Sequence, residues 1–391
     1  YLNLKDYLSL DKFIIYSLLL WVAYTAYNVY STKDEPPMVP HLPIIGHTLQ
    51  LRNNPRRFLL ECQKKYGDIF GVNFLGKKIF VFTNKASEYL AKAHDMGIVE
   101  GRDKIFFISE VLGEGKDSPG KPDQILDNVA IVKEEITPML KTMLPEVLKT
   151  MNRVIQEEIG EGTGPEGINI EYFFSNVIAN SVAVLLLGPE LSKDKDLIFL
   201  LRDYANKIDK CLRKGLLWHL VPFIGSYIVN YKIKYGNPSV SEREFIYSRI
   251  EKHIQNRRQK IKGGEEVEAK GLVDTLSDKG HNISQISQAI MVLGFASIST
   301  TTRSSSLLIT DLLAHPENFA ILREEQKRIT EHVEKDATGS PLLSKEDIDK
   351  FSNLNSAIRE TLRHRSYHLE AWRLTHIDRI LPNGMKISKG S

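Results

Sequence analysis

The chain has 391 residues, 42% hydrophobic and 26% charged, with a formal net charge of +3. That balance describes a folded protein with a sizeable core, in one large fold or two domains, and excludes a disordered chain. So small a charge gives no ground for a nucleic-acid partner.

The first 12 residues form a short polar lead. Residues 13–30, FIIYSLLLWVAYTAYNVY, then run without a formal charge. That length sits at the lower limit for a membrane span. No small-residue cleavage site follows, so the run reads as a retained anchor and not as a signal peptide. Trp21, Tyr27 and Tyr30 suit the headgroup region. Lys33, Arg52, Arg56 and Arg57 on the far side, against Lys5 and Lys12 before it, favour a main body on the cytoplasmic face. Residues 31–47 contain DEPPMVPHLPIIGH. The four prolines there predict a stiff, extended spacer.

From residue 48 onward the pattern is that of a globular body. PRRFLLECQKKY predicts a helix ended by Gly67. GVNFLGKKIFVFTN predicts a hairpin, with Val72 and Phe74 on one strand, Ile79–Phe82 on the next, and Leu75, Gly76 and Lys77 at the turn. KASEYLAKAHDM is helical. Residues 101–128 read as loop, and helical patterns follow at 129–160, 170–187, 193–211 and 241–260. Cys62 and Cys211, the two cysteines, make neither a disulfide framework nor zinc-ligand spacing.

The organising stretch runs from Asn282 to Pro316. Ile283, Ile286, Ile290, Leu293, Leu307, Leu308 and Leu312 recur at helical spacing, with Ser284 as N-cap and Pro316 as stop. Such a helix is roughly 45 Å long, enough to cross a domain. Its centre is unusual for a helix: Gly294, Ser297, Ser299, Thr300, Thr301 and Thr302 replace better helix formers. Their hydroxyls bond back to the preceding turn and bend the helix, and their small size lets a large group approach. A core helix with a polar patch explains the residues equally well. Asn282-Ile283-Ser284 is also a glycosylation sequon, expected to stay unmodified on the cytosolic side. Ser344 and Asp347 predict a capping box. Glu360 and Arg363 lie three apart on a helical face, where an ion pair forms. LTHIDRILPNGMKISKGS reads as strand, Pro-Asn-Gly turn and strand.

Taken in this order, the features resemble a microsomal cytochrome P-450, a haem-thiolate monooxygenase of the fungal type. The anchor and PPMVPHLPIIGH match its N-terminal region. FASISTT at 295–301 matches its central-helix oxygen-activation motif. AHPENFAILREEQ matches the helix after it, ETLR at 360–363 its E-x-x-R, and RILPNGMKISKGS the sheet segment beyond. The resemblance implies a mainly α fold with small β-sheets, with residues 48–391 forming an incomplete catalytic domain. It implies a haem b cofactor and the insertion of one oxygen atom of O2 into a lipophilic steroid, terpenoid or other secondary metabolite. Electrons would come from NADPH through a reductase, at the endoplasmic reticulum membrane, which the chain would span once.

Residue roles follow from the same resemblance. Thr300 would stand beside the dioxygen as the hydroxyl that steadies proton delivery. Ser299 would be its polar neighbour, where many members carry an acid. Ala296 and Ser297 would line the haem face. Arg373 would meet a propionate, and Lys133 would stand where the family has the Arg of W-x-x-x-R. Glu360 and Arg363 would belong to a structural network. Phe106, Phe107, Leu293, Phe295, Leu369 and Glu370 would contact substrate. The cysteine loop that carries the iron ligand is expected beyond Ser391, with neither Cys62 nor Cys211 in its place. Both ends look cut, and the chain as given is expected to be inactive. Two alternatives remain: a haem-thiolate isomerase or dehydratase without a reductase, against which Thr300 argues, and a membrane-anchored pseudo-enzyme.

Overall fold

The computed structural model describes residues 12, 15–16, 18–20, 22–23, 34–41, 46–74, 77–93, 95–98, 100–101, 103, 108–114, 124–160, 167–215, 238–265, 267, 270–335, 339, 341–365 and 372–391. They fall into two compact units. One comprises Tyr1–Ile108, Leu212–Lys232 and His368–Ser391, the other Ser109–Cys211 and Ile233–Tyr367.

The first unit is built on a hairpin. Helices α1 (Thr48–Asn53) and α2 (Pro55–Tyr66) precede strands β1 (Ile69–Phe74) and β2 (Lys77–Phe82), and α3 (Asn84–Lys92) follows. The strands pair antiparallel from Ile69↔Phe82 to Phe74↔Lys77, so Lys77 belongs to the strand and not to the turn. Asn54 caps α2 by accepting from Arg57 N, and Pro55 takes the first helical position, where a missing N–H costs nothing. Phe70, Val72, Val39 and Cys62 form its core. A second hairpin, β3 (Arg379–Ile380) and β4 (Lys386–Ile387), packs Leu381 and Ile387 against Met96.

The proline-rich segment does not stand free of this unit. Gly71 N donates to Pro37 O and Val39 N to Gly71 O, both at 2.8 Å, and Lys386 N donates to Asp34 O. The Glu35 carboxylate, 8% exposed, accepts from Lys78 Nζ at 2.7 Å and Ser388 Oγ at 3.0 Å. His47 is buried. Its Nδ1 accepts from Asn73 N, and its Nε2 donates to Pro40 O. The Met38–Gly71 bridge adds a short parallel ledge to the sheet. The extended segment lies against β1 because Pro37 and Val39 offer an acceptor and a donor on one edge. The predicted anchor lies mostly outside the described residues. Its described members are helical and, apart from the half-buried Val22, exposed, with Leu20 at 71%.

The second unit is helical. Helix α4 (Asn128–Ile131), a π-helical turn (Val132–Ile136) and α5 (Thr137–Ile159) run as one rod. They are followed by α6 (Ile170–Leu191), α7 (Lys195–Gly215), α8 (Pro238–Lys262) and α9 (Leu272–Asp278). Next come α10 (Ile283–Ala314), α11 (Pro316–Thr330), α12 (Lys345–Ile348) and α13 (Ser352–Arg365). A single turn at Ile108–Val111 interrupts the segment expected to be loop.

The middle of this unit is α6 against α10, with α5 on the other side of α6 and α8 beside α10. Ile286, Ala289, Ile290 and Met291 of α10 are at most 2% exposed, as are Ala183, Val184 and Leu187 of α6. Both helices are long and apolar enough to cross a membrane. Half of each apolar window is buried in the body, the mark of core helices. Helix α6 kinks at Gly188 (φ +79°), which explains why the helical pattern fades at residue 187.

Candidate functional site

Helix α10 starts at Ile283, two residues before the start that a cap at Ser284 implies. The cap is Asn282 and not Ser284: the Asn282 side chain accepts from Gln285 N, and the Gln285 side chain bonds back to Asn282 N. A reciprocal box satisfies two donors and outcompetes a lone serine. From there the helix runs unbroken for 32 residues.

The polar centre divides by face. Ile298 and Thr302 point inward, at 1% and 5% exposure. Ala296 and Thr300, four residues apart, are exposed on one stripe, with Ser297 and Ser299 half-buried beside it. Thr300 Oγ1 donates to Ala296 O at 2.7 Å, the back-bond expected of a mid-helix threonine. Ser306 and Thr310 do the same six and ten residues on. The stripe therefore offers only a methyl group and a hydroxyl of small size. Leu293 is turned into the core, at 6% exposure, while Phe295 is half-buried. A Cβ at Gly294 would meet Leu201 Cδ2 at 3.6 Å and Leu186 Cδ1 at 3.8 Å, so this glycine faces packed side chains and not the open stripe.

Glu360 and Arg363 form the expected pair, Nη2 to Oε1 at 2.6 Å, with both side chains 57% exposed. The Arg363 guanidinium is the main reason the Glu360 carboxyl is held down at about 2. Lys133 sits exposed in the π-helical turn. Thr137 Oγ1 closes that turn onto Val132 O at 2.7 Å. Short π segments collect at functional positions in helical proteins.

In the first unit, Arg373 is half-buried and donates to Trp372 O at 3.0 Å. Its backbone lies so near Gly101 that a Cβ there would stand 2.9 Å from Arg373 C. Arg373, Trp372 and Met96 line a mostly apolar cavity of about 510 Å³ beside β2. Phe106, Phe107, Leu369 and Glu370 lie outside the described residues, as does the Cys211 side chain. Cys62 is 5% exposed, and burial pushes its thiol pKa up. A raised pKa disfavours the thiolate that binds metals.

Two polar clusters in the helical unit carry no sequence signal, because their partners lie far apart in the chain. Arg243, 8% exposed, donates to Leu112 O, Gly113 O and Gln288 Oε1, tying the 112–113 turn to α10. His253 bonds Asp274 at 2.8 Å in a polar cleft of about 600 Å³. Asp274 also accepts from Lys270 N, and Arg257 bonds Asp278 and Val267 O. Among the described residues, no serine, threonine or cysteine lines this cleft beside the His–Asp pair. The pair ties α8 to α9.

The family model for cytochrome P-450 matches residues 36–391. The chain belongs to the cytochrome P-450 family. It is 26% identical over 382 residues to a lanosterol 14-alpha demethylase of Cunninghamella elegans, covering 93% of this chain and 68% of the relative. An ent-kaurene oxidase of Fusarium fujikuroi is 22% identical over 398 residues, covering 95% and 71%. A carnosic acid synthase of Salvia pomifera is 21% identical over 351 residues, covering 85% and 67%. The mainly helical body with two small hairpins is the fold expected of a cytochrome P-450.

Proposed function

We propose that this cytochrome P-450 is a haem b monooxygenase that inserts one oxygen atom of O2 into a lipophilic small molecule of the sterol or terpenoid class. NADPH supplies its electrons through a reductase, and it works at the endoplasmic reticulum membrane, held there by residues 13–30. Relatives named for sterol demethylation and terpenoid oxidation support the substrate class. The observation that carries the reading is the open stripe of Ala296 and Thr300 on a helix whose opposite face, Ile286, Ile290 and Ile298 among it, is committed to the core. A helix buried on its other faces loses stability by leaving such a stripe uncovered, and small side chains there suit a flat macrocycle.

The residues fit the group in part. Ala296 and Ser297 would meet its face, and Arg373 and Lys133 its propionates, with Lys133 as a point charge lacking the fork of arginine. Glu360 and Arg363 would hold the chain around it. Cys62 does not fit as the sulfur ligand, being buried among Val39, Phe70 and Val72. The thiolate is sought in sequence following Ser391. When bound, a thiolate-ligated haem supplies dioxygen activation, the thiolate favouring O–O cleavage.

The chain's own part is proton handling and exclusion of water. Thr300 Oγ1 would exchange its bond to Ala296 O for one to the oxygen substrate, taking a proton from the side of Ser299. Ser299 is a weaker carrier than the acid common at that position. Phe295, with Phe106, Phe107, Leu369 and Glu370, would shape the substrate pocket, while Leu293 packs in the core behind it. The exposed hydroxyl at Thr300 favours this reaction over isomerisation, which needs no proton relay.

The test is a carbon monoxide difference spectrum of the reduced product of the complete open reading frame, beside the 391-residue chain. A thiolate-type band from the former, absent from the latter, is the expected result. No haem uptake by either would overturn the reading. NADPH-dependent turnover with a reductase then separates monooxygenase from isomerase.

A further inference from the structure

Helix α13 carries Glu360 and Arg363 but has no acidic residue in its own first turn. The opening amides of any helix lack partners within it. Here they are met from another helix. Glu325 of α11 is 3% exposed, and both its oxygens are used at the start of α13. Oε1 accepts from Asn353 N at 2.8 Å and Ser352 Oγ at 3.1 Å, and Oε2 accepts from Leu354 N at 3.0 Å. Burial alone would raise this carboxyl's pKa, but the bonds from Asn353, Leu354 and Ser352 more than offset it and hold the group below the ordinary value. The positive end of the helix dipole acts in the same direction. At the other end, Arg365 Nη2 pairs with Asp311 Oδ1 of α10 at 2.8 Å. Two carboxylates from two different helices thus clamp α13, and the Glu360–Arg363 pair projects between them and the helix end.

We propose that Glu325 is a positioning residue for the Glu360–Arg363 pair. A carboxylate bonded to two successive amides and a hydroxyl fixes both the height and the rotation of the first turn. A helix transmits that rotation rigidly, and Glu360 lies only about 10 Å along the axis from Asn353 at 1.5 Å per residue. Without the cap, the first turn of α13 frays and the helix rolls about its remaining contacts with α10, the Arg365–Asp311 pair among them, which turns the Glu360–Arg363 pair out of place. The consequence for haem rests on the function proposed above; the placement of α13 does not.

The test uses Glu325→Gln, which keeps one acceptor but loses the charge and the second oxygen. Ser352→Ala, which removes one donor of three, serves as a milder variant should E325Q fold poorly. Hydrogen exchange at the Asn353 and Leu354 amides should quicken roughly tenfold in E325Q, the range of a lost N-cap. Protection across residues 357–363 should fall with it. In the full open reading frame product, the thiolate-type carbon monoxide band should shrink at a temperature where far-ultraviolet circular dichroism shows E325Q fully helical. Unchanged exchange would overturn the proposal, as would faster exchange with an undiminished band. Should wild type show no such band, the haem reading fails, and protection across 357–363 alone decides the positional claim.

Discussion

Replacing Gly271 by alanine tests the close backbone approach between the end of α6 and the start of α9. Gly271 is in extended conformation, φ −171°, which any residue adopts, so the effect is purely steric. A Cβ there would stand 2.4 Å from Gly188 N, 2.7 Å from Gly188 Cα and 2.9 Å from Leu187 C. All three are backbone atoms, and ordinary contact distances are roughly 3.5–4.0 Å. The two segments must part by about 1 Å. No rotamer change relieves this, and Gly188 is already committed to φ +79° at the kink. Overpacking of this kind costs about 1–3 kcal/mol, partly offset by about 0.4–1 kcal/mol from the stiffer unfolded chain. A net loss of ~1.3 kcal/mol lowers the melting midpoint by about 3–5 °C for a cooperative unit of roughly 150–250 residues. The assay is thermal or urea unfolding followed at a helical signal. Gly294→Ala is the matched control. Its Cβ would find neighbours at 3.6 and 3.8 Å, ordinary contact, and removing a mid-helix glycine gains up to about 1 kcal/mol. A G271A midpoint at or above wild type would refute the steric argument.

Three further outcomes follow. Asp274→Asn should lower the unfolding free energy near neutral pH by about 3 kcal/mol, the scale of breaking one partner from a buried ion network. Burial would raise the Asp274 pKa, but the bonds from His253 and Lys270 N–H hold it below its ordinary 3.8. Its stabilisation is therefore full above that value and lost as pH falls through the lower folded-state value, so the gap between D274N and wild type should narrow in strong acid. Thr300→Val should change unfolding free energy by no more than about 0.5 kcal/mol, since the side chain is exposed. It should cut product formation by roughly 100-fold through the lost proton relay; full product yield would remove Thr300 from catalysis. Native-state alkylation should leave Cys62 unlabelled, and Cys62→Ala should keep any thiolate-type band; loss of the band would reinstate Cys62 as a ligand.

The residues that could be placed from sequence are those whose partners are local. The α10 core face, the Ser344–Asp347 box and the Glu360–Arg363 pair each involve spacings of three or four, and all appear as expected. The Asn282 cap was also local, written in its spacing to Gln285, yet the apolar period drew the boundary to Ser284. The π turn at 132–136 has no periodic signature, because one inserted residue shifts the register without changing composition. Glu325 and Arg243 are legible only in three dimensions. Each is a charge in the interior whose acceptors or donors come from segments 27 to 131 positions away. The open face of Ala296 and Thr300 lay between: small residues marked the place, and only burial showed which of them look outward.

The welding of the proline-rich segment has a mechanical consequence. A slack tether would absorb sideways drag before the body felt it. Here a load arriving at Asp34 meets the Lys386–Asp34 bond first and the Glu35–Lys78 contact next, with the Pro37–Gly71 and Val39–Gly71 bonds behind them. Those bonds are loaded in shear, several at once, so the hairpin would swing as one lever before any of them parted.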